Sequence, residues 1–200
     1  MTDDATGSAP LNVSTPAESP VVAATRKWVE RAVIGLNLCP FAQAVHEAGR
    51  VRLVATSVRN PEALIDVLAT ELERLAAADP DEIETTLIIH PHVLPDFLDY
   101  NEFLDVADAL VEEMGLEGVI QVASFHPRYQ FEGTAPDDIG NYTNRSPYPA
   151  LHLLREDSVE RAVATHPDVD SIPRRNVATL KKLGFDGWNE LMDEGMSNQD

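Results

Sequence analysis

Thr85-Thr86-Leu87-Ile88-Ile89, followed at once by His90-Pro91-His92, is the stretch that decides the fold. Five apolar or β-branched residues without polar alternation make a short strand covered on both sides, which belongs in the interior of a sheet. Upstream, Val51-Arg52-Leu53-Val54-Ala55 reads as a strand and residues 61–77 as an amphipathic helix, with Leu64, Leu68, Leu72 and Leu75 on one stripe. Downstream, Phe97, Tyr100, Leu104, Ala107, Val111 and Met114 recur at steps of three and four, the spacing of one buried helix face, and Gly115 closes that helix. Residues 118–125 form a third strand and residues 150–154 a short fourth. Residues 158–165, 173–183 and 187–192 are helical.

Strands that alternate with helices imply βαβ crossovers. The expected class is therefore α/β (α+β): a two-layer sandwich with a mixed, mostly parallel sheet of about four strands and helices packed on it. The last two strands are joined by a long loop, which leaves them free to pair antiparallel. Before the first strand, residues 21–38 carry a helical pattern that Cys39-Pro40 interrupts. Pro40 suits the first turn of a new short helix over 41–48, with Cys39 at its N-cap. Residues 1–19 are small and polar and read as a disordered tail, leaving residues 20–195 as a single domain.

Charge narrows the partners. With 34 acidic against 15 basic residues the formal net charge is −19, which repels nucleic acid and anionic lipid. Residues 60–116 hold fifteen acidic side chains and one base, Arg74. No apolar run approaches the ~20 residues that cross a bilayer, and the N-terminus lacks the pattern of a secretory signal. With Cys39 the only cysteine, no intrachain disulfide can form, so a reducing, cytoplasmic setting is expected.

Chemistry-bearing residues gather at strand ends and in one loop. In an extended segment His90 and His92 point the same way, and Phe125-His126-Pro127-Arg128 ends the third strand at a comparable edge if the two strands run parallel. His90, His92 and His126 are thus a candidate set for a divalent metal. Cys39, at the positive end of a helix dipole, is a candidate thiolate nucleophile, with His126 and His152 as acid–base candidates. Residues 132–149 lack periodicity, yet Asn141-Tyr142-Thr143-Asn144-Arg145-Ser146-Pro147-Tyr148-Pro149 is composed as an ordered lid or binding loop. There Asn144 and Arg145, with Arg128, would grip a small polar or anionic molecule. No Walker loop, Gly-x-Gly-x-x-Gly, Gly-x-Ser-x-Gly or His-Glu-x-x-His is present.

Asn37-Leu38-Cys39-Pro40-Phe41-Ala42, Phe125-His126-Pro127 and Asn144-Arg145-Ser146-Pro147-Tyr148-Pro149 followed by His152-Leu153-Leu154-Arg155 together resemble a bacterial family, the domain of unknown function numbered 1415. The likeness spans roughly residues 21–192 and implies no particular activity, cofactor or catalytic residue. Three functions stay open: a small-molecule enzyme with a Cys/His/Arg site, with or without a metal; a non-catalytic binding or adaptor protein using the acidic surface; and a metal-binding or delivery protein.

Overall fold

The computed structural model describes residues 18–193, with strands β1 (Val51–Ala55), β2 (Thr85–Ile89), β3 (Ile120–Phe125) and β4 (Ala150–Arg155) in one sheet. The strand order is β1-β2-β4-β3. β1 and β2 pair in parallel, linked by helix α3 (Pro61–Ala77), whereas β4 runs antiparallel to both β2 and β3. The mixed four-stranded α/β sheet is as expected, but its pairings are mostly antiparallel. The crossovers implied by the alternation do exist. Helix α4 (Phe97–Glu113) carries the chain from β2 to β3, and these two strands point the same way. β4 then inserts between them in the opposite sense, which leaves one parallel pair.

Helices also cover both faces, which makes the sheet the middle of three layers rather than one of two. On one face Ile88, Leu151, Leu153 and Ile120 pack with the α3 stripe and with Tyr100, Phe103, Ala107 and Val111 of α4. On the other, Leu87 and Phe125 pack with Trp28, Val29, Ala32, Leu180 and Trp188. That second layer comes from helix α1 (Pro20–Trp28), the π-helical turn Val29–Ile34 that continues it, and the long helix α6 (Ile172–Asp193). Every residue of β2 is buried, as its unbroken apolar sequence requires.

Local signals account for most element ends. Ser19 caps α1, Asn60 caps α3 and Asp96 caps α4, each accepting a backbone N–H on its side-chain oxygen. Helix α5 (Glu156–Thr165) follows β4 without a side-chain cap. The two final helices expected from the sequence are both present within α6, which breaks at Gly184, where a φ of 69° and a ψ of 177° are non-helical and need a residue without Cβ. Gly35 is required for another reason, since a Cβ there would overlap the Arg31 carbonyl oxygen below the π turn. Of the tail expected over residues 1–19, residues 1–17 lie outside the described residues.

The α3 stripe is fully buried at Leu64, Leu68, Leu72 and Leu75. Leu68→Ala is therefore expected to cost about 3 kcal/mol through lost transfer energy and an unfilled cavity, lowering the urea midpoint at unchanged slope. A cost below about 1 kcal/mol would mean that this stripe is not the core.

Candidate functional site

Because β2 and β3 point the same way, His90 and His126 do share an edge, on either side of the start of β4. There both rings hold the turn that follows β2. The turn after β2 folds back at Leu94, whose φ of 54° is unusual for a branched residue. His90 donates Nδ1–H to Val93 O at 3.1 Å, and His126 donates Nε2–H to Leu94 O at 3.2 Å. His126 Nδ1 in turn accepts the Arg128 N–H at 3.0 Å, so neither of its ring nitrogens is available. Burial holds the pKa of both rings below the ordinary imidazole value, His90 at about 4, and so keeps them neutral. His90 Nε2 is buried with no partner.

The metal set does not assemble. The chain leaves the extended conformation at His90, so residues 91–92 turn and His92 is exposed while His90 points inward. Among the described residues no three His, Cys, Asp or Glu side chains come together as a metal-binding group. His152 faces the second layer, against the Phe125 ring. Its Nε2–H donates to Thr85 Oγ1 at 2.7 Å, because that hydroxyl gives its own hydrogen to Leu153 O.

The arginines grip backbone carbonyls rather than an open site. Arg145 donates to Tyr129 O and Pro136 O and lies over the Tyr142 ring, 4.5 Å from its centroid. Arg128 is exposed and bridges Pro95 O and Asp96 at the head of α4. The loop itself is built around Asn141, fully buried, which accepts from Phe131 N–H and Thr134 Oγ1 and donates to Ala135 O. Asn144 then pairs with β3 on the side away from β4. Its carbonyl accepts His126 N–H at 3.2 Å and its Nδ2 donates to Ser124 O at 3.3 Å.

What the loop does create is a cavity of about 540 Å³. Its wall is Val33 of the π turn with Leu38 beyond it, Phe125 at the end of β3, Phe131, Thr134, Asp138, Gly140, Thr143 and Asn144 of the loop, and Pro173, Asn176 and Val177 of α6. Cys39 and Asn144 are the two expected site residues that line it; the histidines and arginines do not. Cys39 is not an N-cap, since helix α2 (Ala42–Glu47) begins after Phe41. Burial raises the thiol pKa, opposed by the amides of Phe41 and Ala42, so the side chain stays protonated at neutral pH. Asn176 Nδ2 donates to Leu38 O at 2.7 Å and ties α6 to this segment. Asp138 caps the 3-10 turn Ile139–Thr143 by accepting Gly140 N–H at 2.7 Å.

Comparison with known proteins gives one match. The family model described as "Protein of unknown function (DUF1415)" matches residues 20–190. The chain belongs to this family. No curated protein and no solved structure matches it.

In this DUF1415 chain, sequence reasoning did not reach Asp138, Asn176, Thr134 or Thr143. Asp138 had a local signal, the Asp-x-Gly of a capped turn, whereas the Asn176 bond to Leu38 joins positions 138 residues apart. A second, acidic groove is lined by Asp105, Asp108, Glu112, Glu117 and Glu156, beside Ile120 to Val122 of β3. No described helix is long and apolar enough to cross a membrane.

The neutral buried imidazoles make stability depend on pH. For His90 and His152 the pKa falls from 6.5 in the open chain to about 4 in the fold. Below pH 6.5 the unfolded state therefore binds more protons, and stability falls until about pH 4. Each ring contributes at most about 3 kcal/mol to that fall. His152→Leu removes one such ring, so the stability gap between wild type and variant should shift in the variant's favour as pH drops from 6.5 to 4. Urea unfolding across that range reads the gap, and a gap constant with pH would refute the assignment.

Proposed function

We propose that this protein binds a small molecule in the Cys39 cavity. The observation that carries the reading is the cavity itself: about 540 Å³, mostly apolar in wall, with a few polar side chains from three separate segments. Its size falls in the range of roughly 300–1,000 Å³ typical of small-molecule sites. The wall favours binding over turnover. No histidine, lysine or arginine lines it, the one thiol is held protonated, and one oxygen of the one carboxylate caps a turn. The reading replaces an anion gripped by Arg128 and Arg145 with a molecule seated between the loop and α6.

A thermal-shift screen of small metabolites tests this. A ligand present at about 100 times its Kd stabilises the fold by about 2.7 kcal/mol, which for a chain of this size raises Tm by roughly 5–10 °C. Val177→Phe, which fills the cavity from α6, should abolish the shift while the variant remains folded. Hits that stabilise the filled variant equally, or a screen with no hits, would sink the proposal.

A further inference from the structure

From the hydrogen-bond state of the cavity wall we infer that the ligand is an amine: an apolar body carrying a protonated nitrogen, seated against Asp138. The inference rests on the cavity being a binding site, and it names what that site takes. The argument is an account of hydrogens. Thr143 Oγ1 donates to Gly140 O, and Thr134 Oγ1 has its one hydrogen shared between Phe131 O and Asn141 Oδ1. Asn144 Nδ2 and Asn176 Nδ2 each donate to a backbone carbonyl, Ser124 O and Leu38 O. Because those partners are carbonyl oxygens, the amide nitrogens must face them, and the amide oxygens face elsewhere.

Acceptors are what remain. Among the described residues Asn144 Oδ1, Asn176 Oδ1 and Asp138 Oδ2 have no hydrogen-bond partner, and Asp138 makes no salt bridge. The two amides keep one N–H each and Cys39 its S–H, a weak donor, while each free oxygen offers two lone pairs, so acceptor capacity exceeds donors. Asp138 is the one charged side chain in the wall, with no cation opposite it. An anionic ligand would face a carboxylate and no counter-charge, a costly arrangement in a partly dehydrated site. A protonated amine has N–H groups for the amide oxygens and the charge for Asp138, a charge-assisted contact. The rest of the wall, Val33, Leu38, Phe125, Phe131, Pro173 and Val177, takes the apolar body. The formal charge of −19 adds a field that draws cations towards the protein.

The test uses three probes with one carbon skeleton, 3-phenylpropylamine, 3-phenylpropan-1-ol and 3-phenylpropanoate. They are titrated into the full chain and followed by the backbone amide NMR shifts of Thr143, Asn144 and Asn176. The amine should bind about ten-fold tighter than the alcohol, and the propanoate should not bind at millimolar concentration. Asp138→Asn keeps the oxygen that caps the turn, so the fold is retained; it should bring the amine down to the affinity of the alcohol. Asp105→Asn, in the distant acidic groove, should change nothing, which separates a specific contact from the general field. If the alcohol binds as well as the amine, or Asp138→Asn leaves amine affinity unchanged, the inference fails while the cavity reading stands. If none of the three shifts the cavity amides, both fail.

Discussion

The hydroxyl of Tyr100 is the contact on which the cavity-bearing half of the molecule depends. It projects from α4, fully buried, into the point where β3 and β4 part. There it donates to Ala150 O at 2.8 Å and accepts Phe125 N–H at 3.1 Å. Those two backbone groups belong to facing residues of the ladder, so the phenol stands between them and joins helix to sheet. Burial pushes its pKa far up, which keeps the proton on and the donor role fixed. Beyond this point the chain leaves the sheet for the loop that walls the cavity, and Phe125 is itself part of that wall. Losing the hydroxyl would strand two buried backbone groups, at about 1–3 kcal/mol.

From this anchor the loop is assembled by side chains standing in for secondary structure. Asn141 closes its centre, Asn144 extends the β3 edge by two bonds, and Arg145 gathers two carbonyls. The same use of arginine recurs elsewhere. Arg155, at the end of β4, collects the carbonyls of Leu75, Ala78 and Ile83 just past α3, and Arg31 reaches Leu191 O in α6. These arginines sit where backbone ends need donors, and the fork geometry suits that task. The cavity wall holds no arginine and is left mostly with acceptors.

Elements governed by local pattern were legible in the sequence. The β2 run and the leucine stripe of α3 state their burial directly, and the helix expected over 61–77 has those bounds. The direction shared by β2 and β3 also followed from the alternation of strand and helix. The insertion of β4 between them did not, because strand order is set by long-range pairing that period and composition do not encode. At the cavity, the loop was legible as an ordered object, and of the expected residues Cys39 and Asn144 line the wall. His90 and His126 were placed at the right edge, but the metal set they were to form with His92 does not assemble. A histidine that props a strained turn and one that binds a ligand have the same sequence; only the partner of each ring nitrogen separates them. Asp138 and Asn176 were missed because their meaning lies in contacts with Gly140 and with distant Leu38.

Amide hydrogen exchange at Phe125 and His126, compared between the wild type and Tyr100→Phe, tests most directly whether the phenol anchors the loop. Tyr100→Phe keeps the ring and removes one oxygen, so it leaves the core packed and takes away only the bridge. The account predicts slow exchange at both amides in the wild type. In the variant both should exchange at least ten-fold faster, with α3 amides changed only as far as global stability falls. Equal acceleration of α3 and of the two β3-end amides, or no acceleration at all, would contradict it.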